Sequence, residues 1–224
     1  MEFGYMGLSY READLSVRDL VYFTDSKKLD FYHAIESTGI EQCMILATCN
    51  RSQVFFFYQE EEQLTALCEV YQACFPEVEL DTYLKLTSGR DAMEYLYRVT
   101  AGMESQVLGE DQILGQVKDA LDFARTMGYS HKELSKVVRD AITCAKRIKT
   151  ALKISEIPLS VGYVGICQLN QKCGIKDKKV LLAGSGKTAT LALTYVMEMG
   201  ASKVTVCSKT LSHAVELREK YPEL

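Results

Sequence analysis

Hydrophobic and polar positions follow three successive rhythms along the chain. In the first third, short runs rich in β-branched and aromatic residues alternate with stretches at helical spacing. Residues 1–10 predict a short strand carrying glycines, and Ser26 caps a predicted helix that runs to about Ser37 and stops at Gly39. Gln42–Ala47 and Ser52–Tyr58 predict two strands joined at the polar tetrad Thr48-Cys49-Asn50-Arg51. Over Glu60–Phe75, the positions Leu64, Leu67, Cys68, Tyr71, Cys74 and Phe75 fall at helical spacing, and Thr82–Leu86 predicts a further strand. From Ser88 the rhythm is helical. Helices are predicted over 89–101, 111–127 and 131–153, with Ser88/Asp91 and Ser130/Glu133 as capping boxes and Gly102, Gly109 and Gly128 as breaks. Ile157-Pro158 interrupts the chain, and a short helix over 159–172 ends at Gly174. The third rhythm starts at Lys178: an unbroken apolar strand, a Gly-rich turn, a helix over 187–199, and the strand Lys203–Cys207. That order opens a β-α-β unit. The fold class read from this is α/β: an α+β domain with a helical half, then a partial Rossmann-like unit. The expected boundaries are 1–155, a connecting helix 156–175, and 176–224.

Composition narrows the class without choosing within it. At 224 residues, with 47% apolar and 25% charged residues, the chain has ordinary globular proportions. A net charge of −4 argues against a generally basic nucleic-acid binder. No apolar run reaches the length of a membrane span, and no basic-then-apolar leader opens the chain, so a cytoplasmic location is expected. The eight cysteines, Cys43, Cys49, Cys68, Cys74, Cys144, Cys167, Cys173 and Cys207, include no C-x-x-C pair and have only three histidines beside them. A zinc site and a disulfide framework are both disfavoured, and most of the thiols are expected as small buried hydrophobes. His33, His131 and His213 are expected at the surface or with satisfied partners.

Cys49 is the exception because of where it falls. A thiol at a strand end with a guanidinium, Arg51, two residues on suits a nucleophile beside an anion-binding group. The helix over 131–153 carries Lys132, Lys136, Arg139, Lys146, Arg147, Lys149 and Lys153 against Glu133 and Asp140; this is either a solvated face or a contact for an RNA backbone.

In the third segment, Gly184-Ser185-Gly186-Lys187-Thr188-Ala189 follows a predicted strand and opens a predicted helix. Gly184 permits the tight turn, Gly186 lets backbone approach a pyrophosphate, and Ala189 allows close packing, with the helix N-terminus favouring phosphate charge. Lys187-Thr188 invites a P-loop reading, but the spacing of that motif is not met. After the second strand, Ser208-Lys209-Thr210 stands where an NAD site usually puts an acid, which suits a 2′-phosphate and hence NADPH.

The run from Met103 to Ala120, with Ser105, Gly109, Glu110, Asp111, Gln112 and Gln116, is too polar at fixed points to be core alone. Taken in order, Thr48-Cys49-Asn50-Arg51, this run and the Gly-rich unit resemble glutamyl-tRNA reductase over nearly the whole chain, and Ala145–Thr150 and Ile157–Val161 are also similar to family segments. The resemblance implies that residues 1–155 are the catalytic and substrate-binding domain and 176–224 the first part of an NADP-binding domain. It implies NADPH-dependent reduction of glutamyl-tRNA(Glu) to glutamate-1-semialdehyde, the entry to tetrapyrrole synthesis. Cys49 would take the glutamyl group as a thioester and Arg51 would grip its side-chain carboxylate. Thr48, Asn50, Ser105, Glu110, Asp111, Gln112 and Gln116 would line the pocket. No metal is implied. The partners implied are tRNA(Glu) carrying glutamate, glutamate-1-semialdehyde aminomutase as receiver of the product, and a second subunit in a homodimer.

Three stretches depart from the family pattern. Ser9-Tyr10-Arg11-Glu12 replaces an Asn-His-Lys-Thr segment, Tyr95 stands at a histidine position, and Asp111 at a proline position. A tyrosine hydroxyl can hydrogen-bond but titrates near ~10, a poor match to a neutral-pH base. Only two strands of the nucleotide unit precede Leu224, so an incomplete chain without the dimerisation region, able to form the thioester but not to reduce it, is expected. A diverged non-catalytic relative that binds aminoacyl-tRNA or a pathway partner is the alternative. An unrelated NADP oxidoreductase would leave 103–120 unexplained.

Overall fold

A strand with large side chains at almost every position has to be covered on both faces. Arg51–Tyr58 is such a strand, buried along its whole length. In the computed structural model, which describes residues 1–154 and 161–221, this strand is β3 of a four-stranded antiparallel sheet ordered β2-β3-β1-β4. The others are β1 (Glu2–Ser9), β2 (Gln42–Thr48) and β4 (Lys85–Ser88). The α/β class read from the sequence holds, with the mixed helix and sheet content expected.

The chain divides into two compact units, Met1–Glu156 and Ile157–Leu224. In the first, α1 (Leu15–Leu20) and α2 (Asp25–Ile35) follow β1, α3 (Glu62–Cys74) follows β3, and α4 (Gly89–Thr100), α5 (Gln112–Thr126) and α6 (Lys132–Ala151) follow β4. The period of two along the strands sends alternate side chains to opposite layers. Met6 meets Cys68 of α3, and the Tyr71 hydroxyl of α3 donates to the Ser52 carbonyl at 2.9 Å. On the other face Tyr5 stacks on Tyr95 of α4 with ring centroids 4.1 Å apart. By the same alternation Arg51 and Gln53 share the α4 face with Phe55, so two polar side chains enter the interior at the hairpin end of β3. Gly7 pairs with Gln53 across the sheet. At φ +144°, a side chain on Gly7 would come within 2.3 Å of the Ser52 carbonyl oxygen, so glycine is required there.

Several local expectations are corrected. Thr24, not Ser26, caps α2, accepting from the Lys27 N–H at 3.2 Å. Ser88 makes no capping bond; it is the last residue of β4, paired with Gly4. Ser130 shares its hydroxyl with Ser135, and His131 is the residue before α6. The start of α6 is capped from another element. Buried Gln42 of β2 accepts from the Leu134 N–H at 3.0 Å and donates to the Glu133 carboxylate at 3.1 Å. The strand expected at Thr82–Leu86 begins at Lys85, because residues 80–82 form a 3-10 turn held by Gln72, which accepts from the Leu80 N–H. Neither α1 nor the last helix, α9 (Leu211–Lys220), was expected; α1 is six residues long with no buried residue, and α9 buries only Leu217.

The second unit contains α7 (Val161–Cys173), the parallel pair β5 (Lys179–Ala183) and β6 (Lys203–Cys207), α8 (Lys187–Glu198) between them, and α9. Tyr163 of α7 contacts Tyr195 of α8 edge-on, so the helix read as a connector packs inside this unit. Its core is Ile175, Leu193, Val196, Val204 and Leu217. The break at Ile157-Pro158 lies outside the described residues. Among the described residues no helix is long and apolar enough to cross a membrane.

Gln42→Leu is expected to cost roughly 1–3 kcal/mol, because it strands the Leu134 N–H in the interior. Urea unfolding checks this: a lower midpoint with an unchanged slope is expected, and a shift worth less than about 0.5 kcal/mol would contradict the capping role.

Candidate active site

The β2–β3 hairpin turns on two residues, Cys49 and Asn50, with Thr48 and Arg51 paired across it. The Thr48 hydroxyl accepts from the Asn50 N–H at 3.1 Å, and the Asn50 carbonyl accepts from the Tyr10 N–H at 2.9 Å, tying the hairpin tip to the turn after β1. Arg18 of α1 braces the same place, donating to the Cys49 carbonyl at 3.3 Å and to the Ala13 carbonyl at 2.6 Å. The thiol of Cys49 is thus presented at an exposed, fixed tip. The expectation that most cysteines are buried does not hold: only Cys43 is, and burial pushes its thiol up, while Cys173 and Cys207 are exposed like Cys49. His33, His131 and His213 are all exposed.

Arg51 points the other way. It is 1% exposed and donates from Nη2 to the Glu104 carbonyl and, at a long 3.5 Å, from Nη1 to Gln53. Its Nε–H is buried without a partner, and so is the hydroxyl of Ser105, the residue after Glu104. Gln53 donates in turn to the Tyr95 hydroxyl at 2.6 Å. Burial raises the Tyr95 hydroxyl above its ordinary value, opposed by Arg51 and Gln53, so it is a neutral anchor near pH 7.

Glu104, 5% exposed, is bracketed by guanidinium groups, with Arg98 of α4 at 2.7 Å and Arg11 at 2.9 Å. Arg11 belongs to the Ser9–Glu12 turn that departs from the family pattern. In the same turn Glu12 accepts from the Ser9 N–H at 2.8 Å and its hydroxyl at 2.6 Å, and pairs with Lys85 at 2.7 Å. Burial pushes the Glu12 carboxyl up, but Lys85 and Ser9 outweigh it and hold it below its usual range.

The segment between α4 and α5 closes on itself: the Gly109 N–H donates to the Gly102 carbonyl at 3.0 Å, and both glycines have φ near +80°. Its base is held by Lys149, read from the sequence as one of a row of surface cations but 5% exposed and turned inward. The rest of that row, Lys132, Lys136, Arg139, Lys146, Arg147 and Lys153, is exposed. Of the sequence-derived candidates, Thr48, Asn50 and Arg51 are thus joined in the hairpin, and Ser105 follows the residue whose carbonyl Arg51 holds. Asp111 is held by Lys149 at 2.9 Å, and Glu110 is half-buried. Gln112 is exposed at the start of α5, while Gln116 lines a separate cleft of about 250 Å³ with Ala47 and Lys28. Gln53, Glu104, Arg11 and Lys149 were missed as site residues. A glutamine inside an aromatic strand was the one available signal for Gln53.

In the second unit, Gly184 takes φ +115° and Gly186 precedes α8 without a side-chain cap, leaving the first N–H groups of that helix free of one. A cleft of about 620 Å³ adjoins Ser185, Gly186, Lys187 and Thr190. The Ser208 hydroxyl donates to the Thr210 carbonyl at 2.8 Å, so in its 2.6 Å contact with Ser185 it is the acceptor. Its one proton is used, and the exposed Lys209 is the cation available beside it. This backbone fits a dinucleotide phosphate. Among the described residues no group of three or more His, Cys, Asp or Glu could hold a metal.

An antiparallel sheet with an exposed thiol at a hairpin tip and a buried guanidinium in the same hairpin, in a chain that also carries a glycine-turn α/β unit, defines the class: a thiol-bearing domain followed in the chain by a partial Rossmann-like unit. The family model of the glutamyl-tRNA(Glu) reductase N-terminal domain matches residues 6–152, and that of shikimate/quinate 5-dehydrogenase matches residues 168–224. The chain belongs to the glutamyl-tRNA reductase family. It is 33% identical to the glutamyl-tRNA reductase of Clostridium novyi over 100% of its own length and 55% of that protein. It is 37% identical to that of Alkaliphilus metalliredigens over 97% of this chain and 53% of the relative. The solved glutamyl-tRNA reductase from Methanopyrus kandleri matches with a TM-score of 0.66 at 27% identity, covering 97% of this chain and 52% of that one. The chain spans about half the length of these relatives.

Tyr95→Phe is expected to cost roughly 1–3 kcal/mol by leaving the Gln53 amide without its acceptor. A fall of a few degrees in Tm checks this; an unchanged Tm would show that the hydroxyl does not anchor Gln53.

Proposed function

We propose that this chain carries the acyl-transfer centre of a glutamyl-tRNA reductase, with Cys49 as nucleophile and Arg51 as the group that holds the substrate's side-chain carboxylate. The single observation that carries this reading is that two buried polar groups, Arg51 Nε–H and Ser105 Oγ, lack partners in the unit whose exposed thiol, Cys49, stands two residues before Arg51 in the same hairpin. A buried donor without an acceptor costs about 1–3 kcal/mol unless a ligand supplies one. A carboxylate accepts from a guanidinium edge and a hydroxyl at once.

In this reading the Cys49 thiolate attacks the ester carbonyl of glutamyl-tRNA. A C–S bond forms, the C–O bond to the terminal ribose breaks, and the ribose oxygen leaves with a proton. An aminoacyl ester is activated enough for a thiolate to displace it without a strong acid. Thr48, Asn50 and Arg18 keep the tip in place; Gln53 and Tyr95 orient Arg51; Glu110, Asp111, Gln112 and Gln116 are the remaining pocket candidates. Gly184, Ser185, Gly186, Lys187, Thr188 and Ala189 would hold the pyrophosphate of NADPH, and Lys209 and Thr210 its 2′-phosphate, with Ser208 shaping that turn. NADPH bound there would supply the hydride that converts the thioester to the aldehyde. The reaction opens tetrapyrrole synthesis, in the cytoplasm. The homodimer and the aminomutase partner rest on resemblance alone.

One observation favours a binding-only reading: Tyr95, a neutral anchor, stands where the family has a histidine. Covalent capture decides between the two. Incubated with tRNA charged with radiolabelled glutamate, the chain is expected to keep label through denaturation, and Cys49→Ala to keep none. Label on Cys49→Ala would overturn the nucleophile assignment, and label on neither, with charged tRNA still bound, would favour binding alone. Arg51→Lys is expected to slow capture by about 10-fold or more while remaining folded, since a single point charge replaces a bidentate edge. An unchanged rate would remove the carboxylate role.

A further inference from the structure

We infer that Lys149 is a positioning residue for acyl transfer, setting the shape of the 102–111 loop from the far end of α6. The inference rests on the acyl-transfer reading above for its kinetic part, but its geometry stands alone.

The Lys149 ammonium, buried in the last turn of α6, has three acceptors within one short segment: the carbonyls of Gly109 at 2.7 Å and Glu110 at 2.8 Å, and the Asp111 carboxylate at 2.9 Å. An ammonium has three protons, so these bonds use its whole capacity. Taking such a charge from water costs several kcal/mol unless it is paired, and Asp111 supplies the opposite charge. A cation placed for solubility would lie outward like Lys146 and Arg147; this one is committed to the loop.

The loop is held at two points. At its base Gly109 approaches Gly102 so closely that a side chain on Gly102 would sit 3.1 Å from the Gly109 backbone, and Lys149 grips the next two residues. Toward its middle Arg51 holds the Glu104 carbonyl, with Arg98 and Arg11 on the Glu104 carboxylate. Ser105 follows directly, so in the acyl-transfer reading the hydroxyl that faces an incoming carboxylate lies in the segment between these two anchors. Without Lys149, residues 109–111 lose three contacts, and Glu104 and Ser105 are held from the α4 side alone, by Arg51, Arg98, Arg11 and the backbone bonds of 102–105. A 1 Å misplacement of such a group can cost as much as ~100-fold in rate. Without Lys149 the Gly109 and Glu110 carbonyls would also lose their donor.

The test compares Lys149→Met, which keeps stem volume without charge, with Lys149→Arg, which keeps charge and donors. Three readouts are taken on the whole chain: hydrogen exchange of residues 102–111, urea stability, and the rate of glutamyl capture from charged tRNA. Lys149→Met is expected to speed exchange in 102–111 by about 10-fold or more while the β1–β3 amides keep their protection, and to slow capture by about 10-fold or more per folded molecule. Lys149→Arg is expected to restore most of both. Unchanged exchange in the loop would overturn the inference, as would a capture rate that falls only in proportion to the folded fraction. If wild type captures no glutamyl group, the acyl-transfer reading fails, and the inference fails with it as a statement about the reaction. Loop exchange would then still report whether Lys149 fixes the loop.

Discussion

The site depends on burying a guanidinium at the end of a β-strand. Among the described residues Arg51 is the largest fully buried side chain, and it lies on the strand face that carries Gln53 two residues further in and Phe55 two beyond that. An interior cation is tolerable only if its donors find acceptors and the surroundings supply compensating dipoles or charge. Here a loop carbonyl, a glutamine amide and the nearby buried carboxylate of Glu104 provide them, and the glutamine fits because Gly7 opposite it has no side chain. One donor remains unmatched. In the proposed reading, that residual need and the equally unmatched Ser105 hydroxyl are what a substrate carboxylate would satisfy.

The same constraint explains why the first unit is built as it is. The hairpin must be tight to put a thiol at its tip and a guanidinium at its base, so Thr48, the Tyr10 N–H and Arg18 all brace two turn residues. The loop that meets Arg51 from the other side is closed by Gly102 and Gly109 and anchored by Lys149. Helix α6 is therefore both scaffold and clamp: Gln42 fixes its first turn to the sheet, and its last turn holds the loop.

Much of this was legible in the sequence. The strand pair around Thr48–Arg51 followed from two β-forming runs flanking a polar tetrad, and the long helices from apolar spacing and glycine stops. The Gly-rich turn could be placed because a strand precedes it and a helix follows. What stayed hidden depends on direction rather than on residue type. Lys149 has the same sequence context as its exposed neighbours, and only the helix phase against the loop turns it inward. The caps at Ser26, Ser88 and Ser130 matched local patterns, yet Thr24 two residues earlier won at the first, strand pairing at the second and Gln42 of the sheet at the third. Glu104 looked like one polar residue in a polar run because its three guanidinium neighbours come from β3, α4 and the turn after β1. The helices α1 and α9 bury too little for periodicity to reveal them.

The central claim is that a buried guanidinium edge reads a side-chain carboxylate while Cys49 takes the acyl group. Comparing capture of glutamyl and glutaminyl groups from the same tRNA tests it most directly, since the two side chains differ little in size and chiefly in charge. The account predicts that the glutamyl group transfers at least about 10-fold faster, the value of a charge-assisted hydrogen bond at an otherwise unpartnered donor. Equal rates for the two esters would contradict it.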